Sequence, residues 1–113
     1  MADTFKLAQS KPAAATATTL YTVTASATAV ISTIVVCNQS SVATSFRISI
    51  TPAAGTDDQT QQFTHYDVII PGNDTYIAVI GLPIEAAAAN MGRIRVYATL
   101  ATLAFSAGVL EIT

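Results

Sequence analysis

The chain has no tryptophan, one cysteine and one histidine among its 113 residues. A single cysteine, Cys37, excludes an intrachain disulfide. It lies in the apolar run Thr33-Ile34-Val35-Val36-Cys37 and reads as a small buried hydrophobe, since a reactive thiol needs cations beside it and none is close in sequence. Zinc sites draw on several His and Cys ligands, and Cys37 with His65 is a pair too sparse to make one. Charge is also scarce. Asp, Glu, Lys and Arg together make up 11% of the chain, against about 25% in ordinary globular domains. The five basic residues, Lys6, Lys11, Arg47, Arg93 and Arg95, form no run. Nucleic-acid binding draws most of its affinity from a basic stripe that neutralises phosphates, so DNA and RNA are not expected partners. No stretch approaches the ~18 consecutive apolar residues of a membrane span. The opening Met-Ala-Asp-Thr-Phe-Lys lacks the basic and apolar regions of a signal peptide.

Hydrophobic residues reach 51%, and about one residue in three is Ala or Thr. Threonine is β-branched and suits a pleated, half-buried surface. With so little charge to oppose self-association, this composition points to a surface covered in large part by neighbours.

From Thr19 onward the pattern is a succession of strands. Ala29 to Asn38 is nearly continuous in Val and Ile and reads as a central strand. Ser45 to Thr51 alternates, with Phe46, Ile48 and Ile50 on one face and Arg47 and Ser49 on the other. In Phe63 to Ile70 strict alternation puts Tyr66, Val68 and Ile70 on one face and His65, Asp67 and Ile69 on the other. Pro71-Gly72-Asn73-Asp74 is the clearest turn signal, and the runs on either side of it read as a hairpin. The alanines after Glu85 suggest a single helical turn over Glu85 to Met91, closed by Gly92. Arg93 to Leu100 and Leu103 to Thr113 complete the series. Seven or eight short strands with turn signals every 8–12 residues predict an all-β, single-domain antiparallel sandwich of jelly-roll type. Residues 1–18 read as an N-terminal arm with a short strand over Thr4 to Ala8, and 19–113 as the sandwich. The arm is the segment best placed to grip a neighbour.

Chemistry-bearing groups are few. His65 and Asp67 are spaced to share a strand face, but without a nucleophile beside them they read as a polar face, not an oriented base. Asp57-Asp58 lacks the alternating ligands and distal carboxylate of a calcium loop and reads as solvated. The five glycines form no phosphate-cradling loop. No catalytic, cofactor-binding or metal-binding residue is assigned, no cofactor is expected, and the chain does not read as an enzyme. The candidate interface residues are Phe5, Lys6 and Leu7 on the arm and Arg93, Arg95 and Tyr97 on one strand face, since Arg and Tyr are enriched in protein interfaces.

The segments Thr19-Leu20-Tyr21-Thr22-Val23, Thr33-Ile34-Val35-Val36-Cys37-Asn38, Phe46-Arg47-Ile48, Tyr66-Asp67-Val68-Ile69-Ile70-Pro71-Gly72-Asn73-Asp74-Thr75 and Arg95-Val96-Tyr97-Ala98 together resemble a family of small virion structural proteins of tailed bacteriophages. The resemblance runs from Phe5 to Thr113, with Glu85 to Gly92 longer than is usual there. It implies a β-sandwich made in the host bacterial cytoplasm and carried in many copies on the virion. Capsid decoration, as a cement protein, is the first expectation, with neck, collar or tail-fibre positions as alternatives. The implied partners are the chain itself, as a homo-oligomer with a trimer favoured, and the major capsid or other virion proteins, with no membrane and no nucleic acid. A glycan- or receptor-binding module is the further alternative, weakened by the absence of tryptophan and by only 7% aromatic residues.

Overall fold

The β-branched run that dominates the middle of the sequence forms the strand around which the fold is wound. The structure, a computed structural model, describes residues 3–85 and 91–112. Within them are nine strands: β1 (Asp3–Ser10), β2 (Thr18–Thr22), β3 (Thr28–Asn38), β4 (Thr44–Thr51), β5 (Phe63–Ile70), β6 (Thr75–Val79), β7 (Pro83–Glu85), β8 (Arg93–Ala98) and β9 (Leu103–Ile112). A 3-10 turn over Thr60–Gln62 precedes β5. The helical turn expected over Glu85 to Met91 falls mainly on 86–90, outside the described residues, and Glu85 itself ends β7.

All strand pairs are antiparallel, and they nest. β4 pairs β5, β3 pairs β6 and β7, β2 pairs β8, and β1 pairs β9. The chain is thus one long hairpin, rolled up so that β3 also pairs β9 and β4 also pairs β8. The result is two sheets, β1-β9-β3-β6 with β7 also on β3, and β2-β8-β4-β5. These nested pairs and strand orders are those of a jelly roll, the expected fold class. Alternation along β9, with Leu103, Phe105, Ala107 and Val109 buried and the residues between them half-exposed, places one row of every strand between the sheets. Ile31, Ile34, Val36, Phe46, Ile48, Ile94 and Phe105 form the centre of that core.

The turn at Pro71 to Asp74 is present, but it does not make the expected hairpin. It carries the chain from β5 in one sheet to β6 in the other. The turn between β3 and β4 makes the same crossing in the opposite direction, and the two corners are fastened together. The Asn73 amide donates to the Ser40 carbonyl at 2.8 Å and the Asn38 amide to the Asp74 carbonyl at 2.9 Å. The Asn38 side chain, 1% exposed, donates to the carbonyls of Val42 (2.9 Å) and Pro71 (3.2 Å) and accepts from the Ser40 amide (3.1 Å). Gly72 is required by this contact, because a Cβ there would lie 2.1 Å from the Ser41 carbonyl oxygen. Turn chemistry marks a reversal of the chain; which strands then pair is decided by the long-range rolling.

Two bulges shift faces that strict alternation assigns otherwise. Between Ile31 and Thr33, Ser32 is extra to the pairing with β9, so the inward row passes from Ala29 and Ile31 to Ile34 and Val36. In β5, Phe46 faces Val68 while Ile48 faces His65, which leaves one extra residue on β5 near Asp67, whose φ is +51°. His65 therefore turns inward, with its ring 6.3 Å from Phe46 and 5.6 Å from Tyr76, and Asp67 turns outward. The two do not share a face, and Tyr66 and Ile69 are exposed. Burial holds the His65 imidazole below its ordinary pKa.

Candidate interaction surfaces

The two outer faces of the sandwich differ sharply. On the outside of the β2-β8-β4-β5 sheet sit nearly all the ion pairs. Arg47 pairs with Asp67 through Nε (2.6 Å) and Nη2 (3.3 Å), and its guanidinium lies between the rings of Tyr66 (4.3 Å) and Tyr97 (4.6 Å). That hydrogen bond to Asp67 holds the Arg47 pKa above its ordinary value, and a cation stacked on two rings gains further from their quadrupoles. The loop after β4 folds back over this sheet and carries its carboxylates to the arginines. Arg93 Nε donates to Asp57 at 2.6 Å and its Nη2 to the Gly55 carbonyl at 3.0 Å. Arg95 donates to Asp58 at 3.1 Å and to the Thr19 hydroxyl at 2.8 Å, while its Nε lies 3.8 Å from Asp57 without a hydrogen-bond partner. Burial pushes the Asp57 carboxyl up, but the bonds from Arg93 and Thr51 and the charge of Arg95 outweigh it and hold the pKa below its ordinary value.

Asp57 and Asp58 are therefore the counter-ions of Arg93 and Arg95, not a freely solvated pair. Their spacing gave no sign of this, because the partners lie more than thirty positions away. The side chains of Arg93 and Arg95 are only 16% and 17% exposed. Beside them a shallow groove of about 400 Å³ runs between Phe63, Tyr66, Tyr97, Arg95 and Asp58.

The outside of the β1-β9-β3-β6 sheet carries no ion pair among the described residues. The registers align its side chains in rows: Phe5, Leu110, Val30 and Pro83; Leu7, Gly108, Thr33 and Val79; Gln9, Ser106, Val35 and Ile77. Its formal charges, Asp3 and Glu85, lie in the end row with Ile112 and Thr28. Phe5 is 84% exposed, and Leu7, Ile77 and Val79 are exposed as well. Four strands at ~4.8 Å spacing and about eight residues long present on the order of 500 Å² in projection. Thr28, Thr33, Gln9 and Ser106 and the charged Asp3 and Glu85 share that area, so its apolar part stays within the roughly 300–600 Å² that the largest patch of a typical monomer occupies.

Of the arm residues, Phe5 and Leu7 belong to this outer face and Lys6 does not. The segment is a strand from Asp3 to Ser10, longer than the expected Thr4 to Ala8, and it pairs residue for residue with β9 of its own chain. Lys6 turns inward to a polar cluster at the sandwich edge. Its Nζ lies 3.1 Å from Glu111 and 3.1 Å from the Thr24 hydroxyl. Glu111 is 3% exposed and also accepts from the Tyr21 hydroxyl, the Thr24 hydroxyl (2.9 Å) and the Thr24 amide (3.2 Å). Burial raises the carboxyl's pKa, but the donors outweigh it and bring it down to about 2 from an ordinary 4.5. Burial, the hydrogen bond and the neighbouring charge push the Tyr21 phenol up. The cluster joins β1 and β9 of one sheet to β2 of the other, and its carboxylate is fully engaged in that structural role.

No group of three or more His, Cys, Asp or Glu side chains able to hold a metal occurs among the described residues. No described helix is long and apolar enough to cross a membrane. No family model, curated protein or solved structure matches the chain.

Proposed function

We propose that this jelly-roll domain is a non-enzymatic structural protein of a virion, a cement protein that decorates an assembled phage capsid. The observation that carries the reading is the exposed, nearly uncharged outer face of the β1-β9-β3-β6 sheet. Burying a surface of this kind against several shell subunits stabilises the assembled state by linkage, since the protein binds the lattice and not the isolated subunit. Its other partners are copies of itself. A neck, collar or tail-fibre position uses the same face against a ring of different symmetry.

The test is stoichiometric: quantify this chain against the major shell protein in purified particles. On the order of hundreds of copies supports decoration, roughly a dozen places it in a ring of cyclic symmetry, and absence from particles overturns the virion reading. The groove lined by exposed Tyr66 and half-buried Phe63 and Tyr97 favours a second reading, a glycan- or receptor-binding module, because aromatic rings with converging polar groups suit a sugar. A glycan array returning a strong hit that Tyr66→Ala removes supports it; a blank array sets it aside.

A further inference from the structure

We infer that β1 is a homotypic dimerisation edge: two copies pair their β1 strands antiparallel across a two-fold axis, joining two sheets into one. This deepens the assembly reading by naming the copy-to-copy contact, which does not depend on where the protein sits in a particle.

The sandwich exposes four strand edges, and three of them are blunted in the ways proteins use against edge pairing. β2 is five residues long and bulged, β5 is bulged at Asp67, and β6 is five residues long and gives way to β7 after Gly81, whose φ is +67°. β1 is different. Its eight residues contain no Pro or Gly, its register with β9 is unbroken, and no described strand covers its outer edge. Its lysine, the residue that usually guards an edge, is turned inward to Glu111.

Register is set by face and charge. Opposed residues in an antiparallel pair point to the same side, so only pairings that set odd residues against odd residues keep both apolar faces together. Opposing Phe5 to Leu7 would set Lys6 against Lys6 of the second copy, a like-charge pair. Shifting by two removes that clash. Leu7 then meets Leu7 on the two-fold axis, Phe5 meets Gln9, Lys6 meets Ala8, and Asp3 comes opposite Lys11, the residue just past the end of the strand, at both ends. This register uses the whole strand and gives opposite charges twice.

The test combines mass with register, on the full chain carrying Cys37→Ala. Sedimentation should give about twice the monomer mass of 11.7 kDa. Under mild oxidation Leu7→Cys should cross-link to a covalent dimer, because opposed Cβ atoms lie ~4.5–5.5 Å apart, and Phe5→Cys should not. Lys11→Asp should weaken dimerisation roughly 10-fold at low salt, and Asp3→Lys combined with it should restore the dimer. A monomer at high concentration, a trimer, or cross-linking through Phe5→Cys but not Leu7→Cys overturns the inference. None of these results depends on particle stoichiometry, so the two readings fail separately.

Discussion

Asn38→Ala tests how the two corners of the roll are held. The side chain is 1% exposed and makes three hydrogen bonds, two donated to carbonyls on different corners and one accepted from Ser40. Each bond contributes about 1 kcal/mol net, and a carbonyl left buried without a donor adds a desolvation cost of ~1–3 kcal/mol. Water reaching the Pro71 side, where the turn is exposed, offsets part of that, so the expected loss is about 3 kcal/mol. In a domain of this size that lowers Tm by roughly 12 °C. Asn38→Asp separates the hydrogen bonds from packing. It keeps the shape and the acceptor for Ser40 but turns a carboxylate oxygen toward two carbonyls, so it should lose more than alanine. Urea titration at neutral pH, with an unchanged m-value, measures both. If both variants stay within 0.5 kcal/mol of the parent, the corners are not held by this side chain and the reasoning fails.

Two further predictions come from other parts of the molecule. Glu111 has a folded pKa of about 2 against an ordinary 4.5, so the unfolded chain binds the proton first as pH falls. Its contribution is full above roughly pH 5 and is lost progressively toward pH 2. Glu111→Gln should therefore be less stable at pH 7 and show a flatter decline between pH 5 and 2, read from thermal melts across that range; a parallel decline would refute the cluster's role. Gly72→Ala should lower the urea midpoint by an amount worth about 2 kcal/mol, since the new methyl must displace the Ser41 backbone. A neutral result there would mean that the two corners do not touch.

The fold class was legible because it depends on local pattern. Alternation at Ser45 to Thr51 and Arg93 to Leu100, and the β-branched run before Asn38, give strands whatever their neighbours do. The Pro71 to Asp74 turn was legible for the same reason. The strand pairing beyond that turn was not, because the choice between a hairpin and a crossing of the sandwich lies in contacts with Ser40 and Ser41, thirty residues back. Alternation also failed across β5, where one inserted residue reverses the faces of His65 and Asp67; an aspartate tolerates the positive φ such a bulge asks for, and that was the sole local sign. Phe5 and Leu7 stand exposed on the outer face, while Lys6 between them turns inward to Glu111. Arg93 and Arg95 were recognisable as sharing a face, but their engagement by Asp57 and Asp58 depends on a loop folding back.

The contrast between the two outer faces bears directly on how such a protein would assemble. Both sheets start with one face buried against the other and one face free. The β2-β8-β4-β5 sheet has its free face screened from within: Asp57 and Asp58 of the 52–59 loop and Asp67 of β5 neutralise Arg47, Arg93 and Arg95, so little net charge remains there to attract or repel a partner. The β1-β9-β3-β6 sheet receives no such cover, and its exposed side chains are ones that gain by leaving water. Scarce charge across the chain therefore does not leave the surface uniformly neutral. It is concentrated on one face and withdrawn from the other, and the withdrawn face adjoins the one long unguarded edge. Edge pairing extends a sheet in its own plane, so two copies joined along β1 would set their two outer faces side by side as one continuous surface, still open to a further partner.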